Sequence, residues 1–396
     1  MNRSCIPLLK GIVILLLSVK SVAYVSAQDM YFGLTPPGAA PQPFAPEAII
    51  TESRYNQNST FTPTGDEFCF GVTNSSWSSC KIWYTKQVDG VWQQAQQAPF
   101  ISTDGWDPFF SSDGNYLFYI RWRTPNICRL EKVNGEWTNR AVLDAPVWSS
   151  EGEWSPSVSA NGTIYFYSNR SSGAGIYKAV EVDGTYPTVE KLPSPINDYN
   201  DAEPFIAPDE SYLIFSTNNR RGRVGQDDLF ISFRTGENWS EPVSLGAPIN
   251  SSEIEFSPCV SPDGRFLFFS RRKAWSTTIP SQIYWVNTSC IDSLKQITAS
   301  VPKGTNQFPQ QWTLYQNYPN PFNPATILSY ELSEPCNVSL KVTDVNGKIV
   351  WELEKHHELP GQHQVLFDGS KLPSGLYLYN LDIGNQRQCR KMMLIQ

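Results

Sequence analysis

The segment Ser261-Pro262-Asp263-Gly264-Arg265-Phe266-Leu267-Phe268-Phe269 decides the fold, because a tight turn runs directly into a strand of aromatic and aliphatic residues. Asp and Gly favour turns, and aromatic residues favour pleated sheets. Similar four-residue turns recur along the chain at 62–65, 111–114, 159–162 and 207–210. Their fourth residues stand at 65, 114, 162, 210 and 264, so the intervals are 49, 48, 48 and 54 residues. Such a repeat indicates equivalent structural units.

Each unit carries further strand and turn signals after its aromatic strand. A third strand is predicted at 82–84, 127–129, 176–178, 229–231 and 283–285. Four units then have a two-residue turn signal: Asp89-Gly90, Asn134-Gly135, Asp183-Gly184 and Thr235-Gly236. A fourth strand is predicted to open with an aromatic residue: Trp92, Trp137, Tyr186 and Trp239. Asn-Gly and Asp-Gly favour tight hairpins, so each unit reads as four antiparallel strands, which is a β-propeller blade.

The fifth unit ends after its third strand, near Val286. A candidate for its fourth strand lies at the other end of the mature chain, because residues 44–50 resemble residues 239–245 in pattern. Pairing there would close the ring and cover two exposed sheet edges. The predicted fold is therefore all-β, with a five-bladed propeller; six blades, one of them degenerate, is the alternative.

The repeat resembles the TolB-type, Pro-Asp-Gly variant of the WD-like propeller repeat over about residues 43–290. The lead-in at 31–46 also resembles that of a group of exported bacterial propellers. This resemblance implies a non-catalytic binding scaffold, and the propeller domain is assigned to residues 28–290. The chain departs from the family's turn at Thr64, where Asp is usual, and at Glu210, where Gly is usual.

The N-terminus reads as an export signal. Arg3 and Lys10 flank the start of a short apolar run, and the small residues of Val25-Ser26-Ala27 suit cleavage before Gln28. Residues 1–27 are therefore assigned to a signal peptide; cleavage after Ala23 and an uncleaved anchor are the alternatives. No transmembrane segment is expected after cleavage. The net charge of −7 argues against a nucleic-acid partner, because phosphate binding needs a basic surface.

The C-terminal region has a different pattern. Residues 291–311 read as a polar linker, and residues 312–396 contain short alternating strands that predict a small Ig-like β-sandwich. The run Asn317-Tyr318-Pro319-Asn320-Pro321-Phe322-Asn323-Pro324 and the closing Lys391-Met392-Met393-Leu394-Ile395 resemble the type A C-terminal sorting domain of the type IX secretion system. That resemblance implies the secretion machinery as a partner and a secreted or cell-surface location outside a bacterial outer membrane. An ordinary Ig-like interaction module is the alternative.

The cysteine pattern suggests disulfides and no thiolate metal site. Seven cysteines remain after signal cleavage: Cys69, Cys80, Cys128, Cys259, Cys290, Cys336 and Cys389. Cys69 and Cys80 are predicted on neighbouring strands of one hairpin, which makes them the favoured disulfide; Cys336 with Cys389 is a second candidate. The odd count leaves one thiol over, and none of the spacings is typical of zinc.

The sequence lacks residues that several classes of enzyme require. His356, His357 and His363 all lie in the tail, so the propeller has no histidine for a Ser-His-Asp or Cys-His site, or for zinc. No phosphate-binding glycine loop or dinucleotide motif is present. We therefore expect no cofactor and no metal.

Nine residues before the end of each turn the chain has Asn56, Gly105, Glu153, Asp201 and Glu255, and two residues later it has Asn58, Asp107, Ser155, Glu203 and Ser257. These positions enter the first strand of each blade, so their side chains are expected to ring one mouth of the predicted central channel. The candidate ligand-binding residues there are Trp106, Asp107, Glu153, Trp154, Asp201, Glu203 and Glu255. A functional interpretation is a site for a cation, an amine or a sugar, with the tryptophans stacking on the ligand. The alternative is that repeated acids cap backbone N–H groups between blades, and the arginines that recur after each second strand, such as Arg170, pair with them.

Two functional hypotheses follow. The first is an exported, non-enzymatic binding or scaffold propeller whose ligand is a protein, peptide or glycan. The second is a secreted glycoside-active enzyme that uses Glu153, Asp201, Asp107 or Glu255, since paired carboxylates about 5–9.5 Å apart can hydrolyse glycosides. Carboxylates that are buried in hydrogen bonds between blades would argue against the enzyme.

Overall fold

A computed structural model describes residues 31–49, 55–74, 76, 78–274, 280–299, 312–332, 335–359, 361–384 and 386–395. The chain divides into two compact units, Met1–Ser300 and Val301–Gln396. The predicted signal peptide, residues 1–27, and residues 300–311 of the predicted linker lie outside the described residues.

The first unit contains five small antiparallel sheets. The first sheet consists of β2 (Asn56–Phe61), β3 (Glu67–Thr73), β4 (Cys80–Val88), β5 (Val91–Trp92) and β6 (Gln96–Gln97). The second consists of β7 (Gly105–Phe110), β8 (Tyr116–Arg121), β9 (Ile127–Val133) and β10 (Glu136–Val142). The third consists of β11 (Glu153–Val158), β12 (Ile164–Ser168), β13 (Gly175–Ala179) and β14 (Glu190–Lys191). The fourth consists of β15 (Asp201–Ile206), β16 (Tyr212–Thr217), β17 (Asp228–Thr235), β18 (Asn238–Trp239) and β19 (Val243–Ser244). The fifth consists of β20 (Ile254–Val260), β21 (Phe266–Arg272), β22 (Gln282–Asn287) and β1 (Gln42–Pro43).

The five sheets follow one another in a circle. The first strand of each sheet lies against the first strand of the next, and β20 of the fifth sheet lies against β2 of the first. Each pair of neighbouring sheets shares a buried core of aromatic and aliphatic side chains. The predicted aromatic strands and third strands all fall within observed strands, which confirms the repeat read from the sequence.

The Asn-Gly and Asp-Gly turns have the backbone that their sequences predict, whereas in Thr235-Gly236 only Gly236 has a positive φ. Asn134 and Gly135 have φ values of 52° and 84°, and the two Asp-Gly pairs are similar. Positive φ at both central residues is the mark of a tight hairpin turn that suits twisted strands. The third sheet differs from the prediction, because its fourth strand is Glu190–Lys191 and begins after Tyr186.

The N-terminal segment closes the circle, but not with the residues predicted. Gln42 and Pro43 pair with Trp285 and Tyr284 of β22, and the Phe44 N–H donates to the carbonyl of Ile283 at 2.8 Å. Residues 44–49 do not form the strand, since a 3-10 helix occupies Glu47–Ile49.

Side chains of the N-terminal segment fill the core between the fifth and first sheets. Phe44 is 3% exposed, and its ring lies 5.1 Å from that of Phe268 and 5.7 Å from that of Phe68. Tyr31 is fully buried and donates its hydroxyl to Asp263 at 2.8 Å. The N-terminal segment therefore packs as part of the core between the fifth and first sheets.

The predicted linker begins with a helix instead. Helix α1 (Ser289–Ala299) follows β22 directly, and Ile291 packs into the core shared by the fourth and fifth sheets. Asn287 accepts hydrogen bonds from the backbone N–H and the hydroxyl of Ser289, which satisfies a free donor at the helix start. The polar composition of 291–311 concealed the apolar face that anchors this helix.

The predicted disulfides are wrong, because all seven described cysteines are free. Cys69 lies opposite Tyr84, whereas Cys80 lies opposite Thr73. Four residues along a strand place the two thiols about 13 Å apart, beyond the reach of a disulfide. Strand β28 (Gly375–Ile383) separates the strands of Cys336 and Cys389, so those thiols are also too distant.

The second unit contains two antiparallel sheets around one core. One sheet consists of β23 (Trp312–Leu314), β24 (Ala325–Leu332) and β27 (Gly361–Asp368). The other consists of β26 (Ile349–Glu358), β25 (Cys336–Thr343), β28 and β29 (Gln386–Leu394). In the Asn-Tyr-Pro run, the Asn317 N–H donates to the hydroxyl of Tyr379 at 2.6 Å, and its side-chain amide donates to Thr326 at 3.0 Å. These bonds tie the run to the core of its own unit.

Candidate functional site

The seven candidate residues lie on the first strands, near the edge where those strands begin. Glu153 and Asp201 are the first residues of β11 and β15, and Glu255 is the second of β20. Asp107 and Glu203 lie two positions further into their strands. The structure separates these carboxylates into an outer set, Glu153, Asp201 and Glu255, and an inner set, Asp107 and Glu203.

Each outer carboxylate is completely buried against an arginine. The Arg170 guanidinium lies 3.0 Å from Glu153, whose side chain has no exposed area. Arg220 donates to both oxygens of Asp201, with its Nε at 2.8 Å. These arginines follow the second strand of each sheet, at the recurring basic positions, so the predicted acid–arginine pairing is confirmed.

The third pair repeats the same geometry. The Arg271 Nε lies 2.7 Å from Glu255, and its Nη2 donates to the carbonyls of Pro248 and Ile249. Glu255 also accepts the backbone N–H of Ser251 at 3.0 Å, as Glu153 accepts that of Ser149 at 3.2 Å. Each acid–arginine pair therefore holds the loop that leads into the first strand of its sheet.

The protonation of the outer carboxylates reflects these opposing influences. Burial raises the pKa of Glu153 and of Glu255 above the ordinary range, while hydrogen bonds from the loop serines and the neighbouring arginines oppose that shift. A group that bonds to arginine and backbone on several sides has little capacity left for a substrate.

The first and second sheets lack this pair, because Asn56 and Gly105 stand where the other three sheets have an acid. A Cβ on Gly105 would lie 3.1 Å from Ile82 and 3.3 Å from Tyr119, so close packing favours glycine there. The three acid–arginine units therefore occupy the third, fourth and fifth sheets.

The inner set belongs to a ring of five side chains, one from each sheet. Its members are Asn58, Asp107, Ser155, Glu203 and Ser257. All five have a left-handed φ between 49° and 51°, and each stands where the first strand shifts register against the second. This repeated bulge turns the five side chains toward a common cavity of about 30 Å³. The turn spacing predicted that all five positions ring one mouth of the channel, but only the two acids among them were taken as ligand-binding candidates.

Hydrogen bonds join the ring from sheet to sheet. Asp107 accepts from the side-chain amide of Asn58, and also from the N–H of Ser155 at 2.8 Å and its hydroxyl at 2.9 Å. Glu203 accepts the N–H of Ser257 at 2.7 Å. These bonds agree with the second interpretation of the repeated acids, in which they cap backbone N–H groups between blades.

The inner carboxyls have unusually high pKa values. Burial raises the pKa of Asp107 to about 7. Burial and the negative charge of Asp107 raise that of Glu203 to about 8. No Lys, Arg or His side chain forms a salt bridge with either carboxylate among the residues that the structure describes.

Three tryptophans form a cluster beside this edge. Trp106 stacks on Trp122 with ring centroids 4.8 Å apart, and Trp122 meets Trp154 edge to face at 5.9 Å. Trp106 is buried, whereas Trp122 and Trp154 remain half-buried and present aromatic surface. The sequence predicted two members of this cluster; Trp122, which directly follows β8, was missed.

A larger cavity lies where the first strands end. It has a volume of about 160 Å³, and Phe109, Phe205, Pro208 and Tyr212 contribute to its lining. The turns of the repeat also line it, so the turn spacing was the signal that could have located it. Ligand pockets for small molecules usually exceed about 300 Å³, so neither cavity has room for a whole sugar chain.

Within the described residues, no group of three or more His, Cys, Asp and Glu side chains is arranged around a possible metal. Across the same part of the chain, no helix combines the length and apolarity needed to cross a membrane.

Residues 316–396 match the family model of the secretion system C-terminal sorting domain. The tail is therefore a type IX sorting domain, and the protein is secreted or located at the cell surface. The whole chain matches no curated protein.

Several solved propeller structures are similar to this chain at low identity. A putative TolB from Agrobacterium tumefaciens is 10% identical with a TM-score of 0.38, over 79% of this chain and 90% of that one. PorZ, a surface component of the type IX secretion system of Porphyromonas gingivalis, is 10% identical with a TM-score of 0.32, over 84% and 50%. A Bacillus subtilis arabinanase is 14% identical with a TM-score of 0.39, over 58% and 95%. Similarities this weak do not define a function.

Proposed function

We propose that this chain is an exported, non-enzymatic binding protein: a five-bladed β-propeller delivered by an Ig-like sorting domain. Five sheets in a closed circle support the blade count. Two antiparallel sheets around one core support the Ig-like sandwich. The ligand is a glycan, protein or peptide that meets the propeller outside the cell.

One observation carries the non-enzymatic assignment. Glu153, Asp201 and Glu255 have no exposed side-chain area, and each is neutralised by an arginine. Hydrolysis of a glycoside requires two carboxyl groups that reach the substrate from an open pocket. The inner pair, Asp107 and Glu203, faces a cavity of about 30 Å³, which accommodates water-sized occupants only.

The tryptophan cluster is the best candidate for ligand contact. Half-buried indole rings bind sugar faces and apolar side chains with little loss of conformational entropy. Trp122 and Trp154 combine such surface with a rigid support, because Trp106 stacks beneath Trp122. We place the ligand on this cluster rather than on the acids.

Glycan and peptide arrays probed with the full mature chain test this proposal. We expect Trp122→Ala to lower binding at least tenfold while the protein stays folded by circular dichroism. Val91→Ser is the control, since Val91 is exposed on a hairpin far along its sheet. Binding that survives Trp122→Ala unchanged would remove the cluster from the site. Release of sugar from arabinan or other polysaccharides would instead favour the glycoside-active enzyme.

A further inference from the structure

The inner ring brings two carboxyl groups to one cavity without a positive partner among the described residues. Asp107 is 6% exposed, and its carboxylate shares a cavity with that of Glu203. The outer carboxylates each have an arginine, but no described cation pairs with these two. Two neighbouring buried carboxylates repel each other, so they favour either a shared proton or a bound cation.

An unsatisfied oxygen in the same ring favours a cation. Asn58 is nine-tenths buried and lines the cavity, where its amide nitrogen donates to Asp107. Its Oδ1 is buried and accepts no hydrogen bond. Buried acceptors are nearly always satisfied, and an exception commonly marks the place of a water or an ion. A proton shared between the carboxylates would leave this oxygen unsatisfied, whereas a cation would bind it together with them.

We propose that the ring of Asn58, Asp107, Ser155, Glu203 and Ser257 binds one Ca²⁺ ion on the axis of the propeller. Carboxylate, amide and hydroxyl oxygens are the hard ligands that Ca²⁺ prefers, and the five ring members supply only such oxygens, although Cys259 also lines the cavity. The cavity of about 30 Å³ accommodates an ion with a water molecule.

Calcium fits this ring better than magnesium. Magnesium requires near-ideal octahedral geometry and releases its waters reluctantly, whereas calcium accepts irregular sets of six to eight oxygens. The ring is irregular, because its members differ in length and several oxygens already accept hydrogen bonds from the next sheet. Glu203 keeps partial exposure, which gives the ion a route from solvent.

A bound ion would connect all five sheets at the centre. Each ring member comes from a different sheet, so the site exists only when the circle is closed. The ion would therefore bind the folded state and not the unfolded chain. At a calcium concentration 100 times the Kd, the unfolding equilibrium constant falls about 100-fold.

The test uses the full mature chain after removal of metals with EDTA. Isothermal titration with CaCl₂ should show one site, and scanning calorimetry should show the transition of the first unit moving to higher temperature. Parallel titrations with MgCl₂ and NaCl should give at least tenfold weaker effects. Absence of calcium binding at millimolar concentration would overturn the proposal, and an equal response to magnesium would overturn the choice of ion.

The variant Asp107→Asn/Glu203→Gln should lose the calcium response, with binding at least 100-fold weaker. In EDTA it should be as stable as the unsubstituted chain, because a rotated Asn58 amide can still pair with Asn at 107. Asp104→Asn is the matched control: it removes a carboxylate that already pairs with Lys81 at 2.7 Å, and its calcium response should remain. Calcium binding retained by the double variant would refute the ring as the site. If that variant does not fold, the titrations of the unsubstituted chain and of Asp104→Asn decide the matter.

Discussion

Replacing Arg220 with methionine tests the acid–arginine units most severely. Asp201 has no exposed area and Arg220 is 6% exposed, so the pair is almost wholly removed from water. The guanidinium also donates to the Pro195 carbonyl and lies 5.0 Å from the ring of Tyr199. Methionine keeps the apolar stem but leaves a buried carboxylate without its partner. Removing one member of a buried pair costs about 3–5 kcal/mol.

That cost corresponds to a clear change in melting temperature. For a unit of this size, about 2–4 °C is lost per kcal/mol, so Arg220→Met should lower the Tm of the first unit by about 6–20 °C. Calorimetry of the full chain measures this shift separately from the second unit. Arg221→Met is the control, because Arg221 is the exposed neighbour and its replacement should change stability by less than about 0.5 kcal/mol.

A double-mutant cycle distinguishes the interaction energy of the Arg220–Asp201 pair from the energy lost through poorer packing. Adding Asp201→Asn to Arg220→Met removes the stranded charge, so the double variant should be more stable than Arg220→Met alone. A loss below about 1 kcal/mol for Arg220→Met, or a loss that residue 201 does not alter, would refute the role of these pairs as fasteners.

Three further predictions follow from the packing. Burial raises the pKa of Cys290 to about 11, so about one Cys290 thiol in a thousand is ionised at pH 8. Iodoacetamide should therefore modify the exposed Cys389 well before Cys290, which peptide mass spectrometry measures. Equal rates of modification would contradict the burial of Cys290. Phe44→Ala should destabilise the first unit by about 3–5 kcal/mol in calorimetry, and a loss below about 1 kcal/mol would contradict closure by the N-terminal segment. Asn317→Ala removes the side-chain amide that donates to the Pro319 carbonyl and the Thr326 hydroxyl, so it should destabilise the second unit by about 1–3 kcal/mol in urea unfolding and reduce the protein recovered outside the cell. Unchanged stability would contradict the anchoring role of this side chain.

Local patterns made most of the architecture predictable. Each sheet repeats a turn and an aromatic strand, four of the five add a glycine-containing turn, and each of these features depends on nearby residues alone. The sorting domain was predictable because its Asn-Tyr-Pro run is specific. Helix α1 was missed because its anchoring contact, Ile291, depends on a core formed by residues distant in sequence.

Two of the errors share one physical origin, which is register. The Cys69–Cys80 disulfide failed because the hairpin places them four residues out of step, and spacing in the sequence does not reveal that offset. Register also explains why the predicted group of acids separates into an outer and an inner set. A bulge turns Asp107 and Glu203 into the channel, while Glu153, Asp201 and Glu255, at the starts of their strands, pair with arginines.

Carboxyl footprinting of the native full chain tests the central claim most directly, since carbodiimide with glycine ethyl ester modifies only the carboxylates that reagents can reach. We predict that Glu153, Asp201 and Glu255 stay unmodified under conditions that fully label Glu237, whose side chain is 96% exposed. Labelling of the three buried acids at the rate of Glu237 would show that they face solvent. They would then be available to a ligand or substrate, and the assignment of these acids as internal fasteners would be wrong.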